Sequence, residues 1–230
     1  MTPATHAPVG RIVTRAAADP AELRGLHVQG SGPARVLVAY ATAGSEGQTQ
    51  LIAARLAEAL RAGGARADVV DCEAPPSGLR LDEYDAALVG GSVRGNRYRR
   101  SLRRFLRACR DELARMPWAF FSVCLTVAAT REDDRAAARE LPRRFLRELA
   151  LEPREVAVFA GALRFSRHRR LGARLLFAIN RRYLPETDMD HDWVFTDWHE
   201  VDALAGGLTE TLARGPGTGR GAATTGRRRG

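Results

Sequence analysis

Two rhythms of apolar residues alternate along the chain. Arg35–Ala41 is a short Val/Leu/Ala/Tyr run closed by a Gly/Ser/Thr loop, the length and composition of a strand buried on both faces. Ile52, Leu56, Ala59 and Leu60 then recur at helical spacing and stop at Gly63-Gly64, where a helix can close in a left-handed turn. Residues 67–70 and 86–89 read as further strands, followed by one helix face carrying Leu102, Phe105, Leu106, Cys109 and Leu113. Residues 118–124 give a fourth strand; Leu141, Phe145 and Leu149 mark a helix; residues 155–161, after Pro153, give a fifth strand. Asp197, with Glu200 three positions on, forms a capping-box-like pair opening a last helix ahead of Val201 and Leu204. Strand and helix in strict alternation predict an α/β fold, a doubly wound five-stranded parallel sheet with helices on both faces.

This pattern fills residues 35–213 and predicts one domain. Residues 1–34 mix Pro, Gly, Ala and Thr without periodicity and read as a flexible N-terminal tail; residues 214–230 read as a disordered Arg/Gly-rich tail.

Ligands of open parallel sheets sit beyond the carboxyl ends of the strands, so the loops there are the candidate site. The first, from Thr42 to Thr49, contains Gly44, Ser45, Glu46, Gly47 and Gln48 and leads into a helix, where backbone N–H groups and the helix dipole attract an anion. Glycine permits close approach, and the hydroxyls of Ser45 and Thr49 can donate to phosphate oxygens. No Gly-Lys-Ser/Thr and no Gly-x-Gly-x-x-Gly follows this strand, which favours a monophosphate over ATP or NAD. The loops 90–98 and 122–128 flank the same crevice, which makes Ser122, Val123 and Cys124 candidate cofactor contacts.

Four segments then occur in order: Val89-Gly-Gly-Ser-Val-Arg94 with Tyr98, Met116-Pro-Trp-Ala-Phe-Phe-Ser-Val123, Ala157-Val-Phe-Ala-Gly-Ala-Leu-Arg164, and Thr196-Asp-Trp198. In this combination the chain resembles the menaquinone-dependent protoporphyrinogen IX dehydrogenases over roughly residues 35–213. The resemblance implies a flavodoxin-like fold and FMN as cofactor. It also implies a phosphate loop of Ser45, Glu46, Gly47, Gln48 and Thr49, with Gly91, Ser92, Val93, Arg94 and Tyr98 bordering the flavin ring. It further implies FMN-dependent oxidation of protoporphyrinogen IX to protoporphyrin IX, in heme biosynthesis, with a quinone as acceptor. The flavin would carry the chemistry, so no catalytic side chain is named. Arginines beside the crevice, Arg94, Arg97, Arg164 and Arg167, would meet the substrate's propionates. The chain departs from the family pattern at Gly95-Asn96, where Tyr-Gly is usual, and at Cys124, which stands for a polar amide. The fold and loop alone also suit a flavodoxin-type electron carrier or an FMN-dependent quinone reductase, and an interaction protein that has lost the cofactor is a third class.

Charge adds one feature. The formal charge is +9, and every one of the 36 basic residues is Arg, but Arg214, Arg220, Arg227, Arg228 and Arg229 lie at the C-terminal end. Without aromatic residues to stack bases, that end predicts no nucleic-acid partner. Within the domain, a basic helical segment follows the fifth strand: Leu171, Leu175, Ile179 and Tyr183 share one face and Arg170, Arg174 and Arg181 another, with Phe177 interrupting the basic side. Such a helix suits an anionic membrane surface or, more plainly, packing on the sheet. No stretch approaches the roughly 20 apolar residues of a membrane span. Three cysteines without ligand spacing predict a reducing cytoplasmic setting, peripheral to the inner face of the membrane if that helix docks. Asp188, Asp190, His191 and Asp192 lack metal-ligand spacing and read as a solvated loop, so no metal is expected.

Overall fold

The computed structural model describes residues 14–15, 32–42, 47–167 and 170–214. Strand β1 is Thr14–Arg15 and β2 is Arg35–Ala41; β3 (Arg66–Asp71), β4 (Ala86–Ser92), β5 (Trp118–Val123) and β6 (Glu155–Phe159) follow. In space the order is β1-β6-β5-β4-β2-β3. From β3 to β6 every neighbouring pair is parallel, which is the expected five-stranded sheet. Between β2 and β4 the winding direction reverses, because the chain moves from β2 outward to β3 and returns past β2 to β4.

A sixth strand, outside the expected five, joins the sheet from the N-terminal region. Thr14 and Arg15 pair antiparallel with Val156 and Glu155, lining the outer edge of β6 within a segment read as tail. The remaining residues of the two tails lie outside the described residues, apart from residues 32–34 and Arg214.

Alternation along the strands divides the core in two. Val36, Val38 and Tyr40 of β2 face one side, where Ile52, Leu56 and Leu60 of α1 (Gln48–Ala62) and Val201, Leu204 and Leu208 of α6 (Trp198–Ala213) cover them. Leu37, Ala39 and Ala41 face the other, against α2 (Arg100–Ala108), α3 (Arg110–Leu113) and α4 (Glu132–Leu149) through Leu102, Phe105, Leu113, Phe145 and Leu146. The single helix face read from Leu102 to Leu113 is two helices, because Cys109 leaves α geometry at φ −104°, ψ 17°.

The caps follow the sequence closely. Gly64 takes φ 87°, with the Gly64 N–H on the Arg61 carbonyl and the Ala65 N–H on the Leu60 carbonyl, so α1 ends in a Schellman turn. At the start of α6 the Asp197 carboxylate accepts from the backbone N–H of His199 (2.9 Å) and Glu200 (3.4 Å).

Between β6 and α6 lies the extra segment. Its base is a pair of two-residue strands, β7 (Ala162–Leu163) and β8 (Trp193–Val194), antiparallel with Ala162 opposite Val194 and Leu163 opposite Trp193. Helix α5 (Arg170–Asn180) lies between them in the chain. A third apolar cluster joins this segment to the sheet: Leu163, Phe165, Phe177, Leu184 and Trp193 pack with Cys124, Val127 and Ala160. Among the described residues no helix is long and apolar enough to cross a membrane.

Candidate functional site: a crevice at the carboxyl edge of the sheet

Strand register aligns the loops that build the site. Ala41 lies opposite Gly91, Gly91 opposite Ser122, and Val123 is paired with both Ser92 and Phe159. The connections leaving these strands therefore begin along one edge, beside the reversal between β2 and β4.

At the first connection, Gly47 precedes α1 without a side-chain cap, and the first turn holds no acidic residue. The Gln50 and Leu51 N–H groups return to the Gly47 carbonyl, at 3.0 and 3.3 Å. The N–H groups of Gln48 and Thr49 have no carbonyl of their own helix to meet, as at any helix start, and lie at the positive end of the helix dipole. A Cβ on Gly47 would lie 2.7 Å from Thr42 Oγ1, so backbone approach there depends on glycine. Thr49 is 2% exposed. Ser45 and Glu46 lie outside the described residues.

The second connection is a tight turn. Arg94 and Arg97 exchange backbone hydrogen bonds at 2.9 and 3.0 Å, and Gly95 (φ 53°) and Asn96 (φ 59°) occupy its left-handed corner positions. This is the geometry of a type I′ turn, which favours Gly and Asn, and it explains the departure at Gly95-Asn96. Arg94 and Arg97 are exposed at its two ends. Val93 is held by its N–H on the Val123 carbonyl (2.9 Å) and packs against the third apolar cluster.

Tyr98 and Ser122 occupy each other. The Tyr98 hydroxyl donates to Ser122 Oγ at 2.7 Å, while its ring lies 4.4 Å from that of Phe145 and edge-on to Phe120 at 5.6 Å. Burial pushes the Tyr98 phenol well above its usual range, and Ser122 is 0% exposed. Gly91 is likewise enclosed, with a built Cβ 2.9 Å from both the Ala41 carbonyl and Leu102 Cδ2. Cys124 is buried with Sγ 3.0 Å from Thr126 Oγ1, and burial raises its thiol above the ordinary value; burial also takes the Cys109 thiol up to about 11. Thiols so held stay protonated and are poor nucleophiles at neutral pH.

Sequence reading missed the network that joins three of these segments. Gln48 Nε2 donates to Thr196 Oγ1 (2.9 Å), Thr196 Oγ1 donates to the Ala160 carbonyl (2.7 Å), and Arg164 Nη2 donates to Gln48 Oε1 (2.9 Å). Arg164 Nε is shielded from solvent and meets no acceptor among the described residues. The side chain of Arg167 lies outside those described.

The acidic run is a largely exposed loop, as expected, and local hydrogen bonds order it. Asp192 accepts from the Ser166 N–H (2.9 Å) and hydroxyl (2.6 Å), clamping the extra segment near its base, and Asp188 accepts from the Asp190 and His191 N–H groups. Asp188 also meets His191 Nδ1 at 3.0 Å. In α5 the aromatic side turns inward: Phe177 packs 6.3 Å from Phe165 and Asn180 is buried, while Leu175 (63%) and Ile179 (58%) are exposed beside the exposed Arg174. The side chain of Arg170 lies outside those described.

Residues 37–188 match the family described as Flavodoxin domain, Flavodoxin_5. The protoporphyrinogen IX dehydrogenase [quinone] of Escherichia coli strain K12 is 33% identical over 174 residues, 74% of this chain and 92% of that one. The enzyme of the same name from Leishmania major is 32% identical over 173 residues, 74% of this chain and 73% of that one. A solved flavodoxin from the domain Archaea is 16% identical, over 78% of this chain and 99% of that one, with a TM-score of 0.43. With a flavodoxin domain matched through most of its sheet and 33% identity to the Escherichia coli enzyme over 74% of its length, this chain belongs to the flavodoxin-domain family of quinone-dependent protoporphyrinogen IX dehydrogenases.

Proposed function

We propose that this chain is an FMN-dependent oxidoreductase that converts protoporphyrinogen IX to protoporphyrin IX and passes the electrons to a quinone. The observation that carries the reading is the 33% identity that spans 92% of the Escherichia coli enzyme, so the likeness reaches nearly the whole of that protein.

The residues present suit a flavin monophosphate. The start of α1 is uncapped and free of acidic side chains, Gly47 leaves room at the backbone, and Arg164 Nε lacks an acceptor. Ser45, Glu46, Gly47, Gln48 and Thr49 would hold the phosphate, and Ser92, Val93, Arg94 and Cys124 would border the ring. Gly91, Tyr98, Ser122 and Val123 would support that border from beneath: Gly91 and Val123 lie within paired strands, and the Tyr98 and Ser122 hydroxyls are spent on each other. When bound, FMN supplies the hydride acceptor that no side chain of this chain provides. Arg94 and Arg97, exposed at the ends of the tight turn, are suited to the substrate's carboxylates, as is Arg167. Thr49→Ala should weaken FMN binding by about 1 to 3 kcal/mol, the scale of a lost hydrogen bond to a charged group.

Peripheral docking at the inner face of an anionic bilayer completes the proposal. Leu175 and Ile179 present an aliphatic face, and Arg174 and Arg181 are exposed on the same segment. Each arginine near such a surface contributes about 1 kcal/mol. Replacing Arg170, Arg174 and Arg181 by Gln should sharply reduce binding to phosphatidylglycerol vesicles at low salt, and equal binding would reject docking.

The deciding experiment is anaerobic mixing of the purified protein with protoporphyrinogen IX and a menaquinone analogue. Porphyrin fluorescence should rise with protein concentration and depend on the quinone. A rate equal to the protein-free control, or release of FAD on denaturation, would refute the reading.

A further inference from the structure

The network around Gln48 links the start of α1 to the segment that carries the extra helix. Ala160 directly follows β6, Arg164 directly follows β7, and Thr196 precedes the cap of α6; Arg164 and Thr196 both bond one amide in the first turn of α1, and Thr196 carries the chain on to the Ala160 carbonyl.

The polarity of this network is forced. A carbonyl can only accept, so the single Thr196 hydroxyl proton is committed to Ala160. Thr196 Oγ1 must then accept from Gln48, which turns Nε2 toward Thr196 and Oε1 toward Arg164. A guanidinium can only donate, so the two ends agree on one orientation of the amide.

Arg164 is left with unused capacity. Its Nε is enclosed without an acceptor among the described residues, and no carboxylate forms an ion pair with it there. Asp192 is near enough to feel its charge, but both oxygens of Asp192 are engaged by Ser166. Enclosed donors of charged groups are rarely left unpaired, because they forfeit hydration without replacement.

Building on the FMN reading, we propose that Arg164 is a binding residue for the cofactor's phosphate: its free N–H donates to an anionic oxygen of that group, while through Gln48 it also holds the first turn of α1. This moves Arg164 from the substrate to the cofactor and makes the extra segment part of the phosphate site. By linkage, a phosphate that engages Arg164 also stabilises the docked base of that segment.

Riboflavin, which has the same ring without the phosphate, isolates the effect. The test titrates the flavin-stripped full chain and its Arg164→Met variant with FMN and with riboflavin, following flavin fluorescence. Arg164→Met should lose about tenfold or more in FMN affinity, the scale of one hydrogen bond to a charged group, while riboflavin affinity stays within about twofold. Arg164→Lys, which keeps the charge and the stem, serves the same comparison should the Met variant not fold. Equal weakening of both flavins would overturn the proposal in favour of a general packing role. Unchanged FMN affinity with a raised KM for protoporphyrinogen would return Arg164 to the substrate. If the parent chain bound neither flavin, the cofactor reading itself would fall.

Discussion

Replacing Tyr98 by Phe distinguishes a flavin contact from a structural strut. The substitution removes one hydroxyl and keeps the ring, so the contacts at 4.4 Å with Phe145 and 5.6 Å with Phe120 survive. What is lost is the 2.7 Å bond to Ser122 Oγ, and Ser122, 0% exposed, cannot turn to water. A buried hydrogen bond contributes about 1 kcal/mol, and an orphaned partner adds to the loss, so Tyr98→Phe should cost about 1 to 2 kcal/mol. Removing both polar atoms should be gentler than the sum, and the Tyr98→Phe/Ser122→Ala cycle should show a coupling of about 1 kcal/mol. Urea unfolding reads this as a lower midpoint at unchanged slope. FMN affinity should stay within about twofold throughout. An unmoved midpoint together with weakened FMN binding would refute the reasoning and put the phenol on the flavin.

Three further outcomes follow from the packing. Gly90→Ala would drive a Cβ into the Phe121 carbonyl oxygen and ring in the middle of the sheet, so it should cost at least about 3 kcal/mol, the upper end of ordinary overpacking; a parent-like urea midpoint would contradict this. Ala150→Gly should stabilise by about 0.5 to 1 kcal/mol, because Ala150 ends α4 at φ 50°, ψ 52°, where a Cβ is strained; calorimetry should show a rise of roughly 1 to 4 °C and not a fall. Asp202 is held below the usual carboxylate range by the Arg55 guanidinium, which meets both its oxygens at 2.7 Å across α1 and α6. Its stabilisation is fully present above the unfolded value near 4 and disappears as pH falls through the lowered folded value, so the deficit of Asp202→Asn should vanish in acid and shrink in roughly 1 M salt.

Elements whose stabilising contacts are periodic were legible in the sequence. Strand and helix alternation, the Gly63-Gly64 closure and the Asp197 cap each follow from residues a few positions apart, and all appear in the fold. Contacts between distant residues with no local signature were not legible. Gln48 and Arg164 meet across 116 positions, and Ser166 and Asp192 across 26, where an acidic run offers no sign of its partner. The two-residue strand at Thr14 has no periodicity to detect. In α5, spacing correctly grouped Leu175 with Ile179, but Phe165 supplies a partner only for Phe177, and this tertiary contact decides which side of the helix is buried.

The pinched base of the extra segment has a consequence for how such a chain can change. Because Ala162 and Val194 sit opposite one another, the chain leaves the sheet and re-enters beside the point of departure. Insertion or deletion between them leaves the ends of the excursion where they are, and the entropic cost of a longer loop grows only slowly with length. The stretch from Phe165 to Asp192 is thus an excursion whose length can change without displacing β7 or β8, provided that Phe165, Phe177 and Leu184 keep their places in the third apolar cluster.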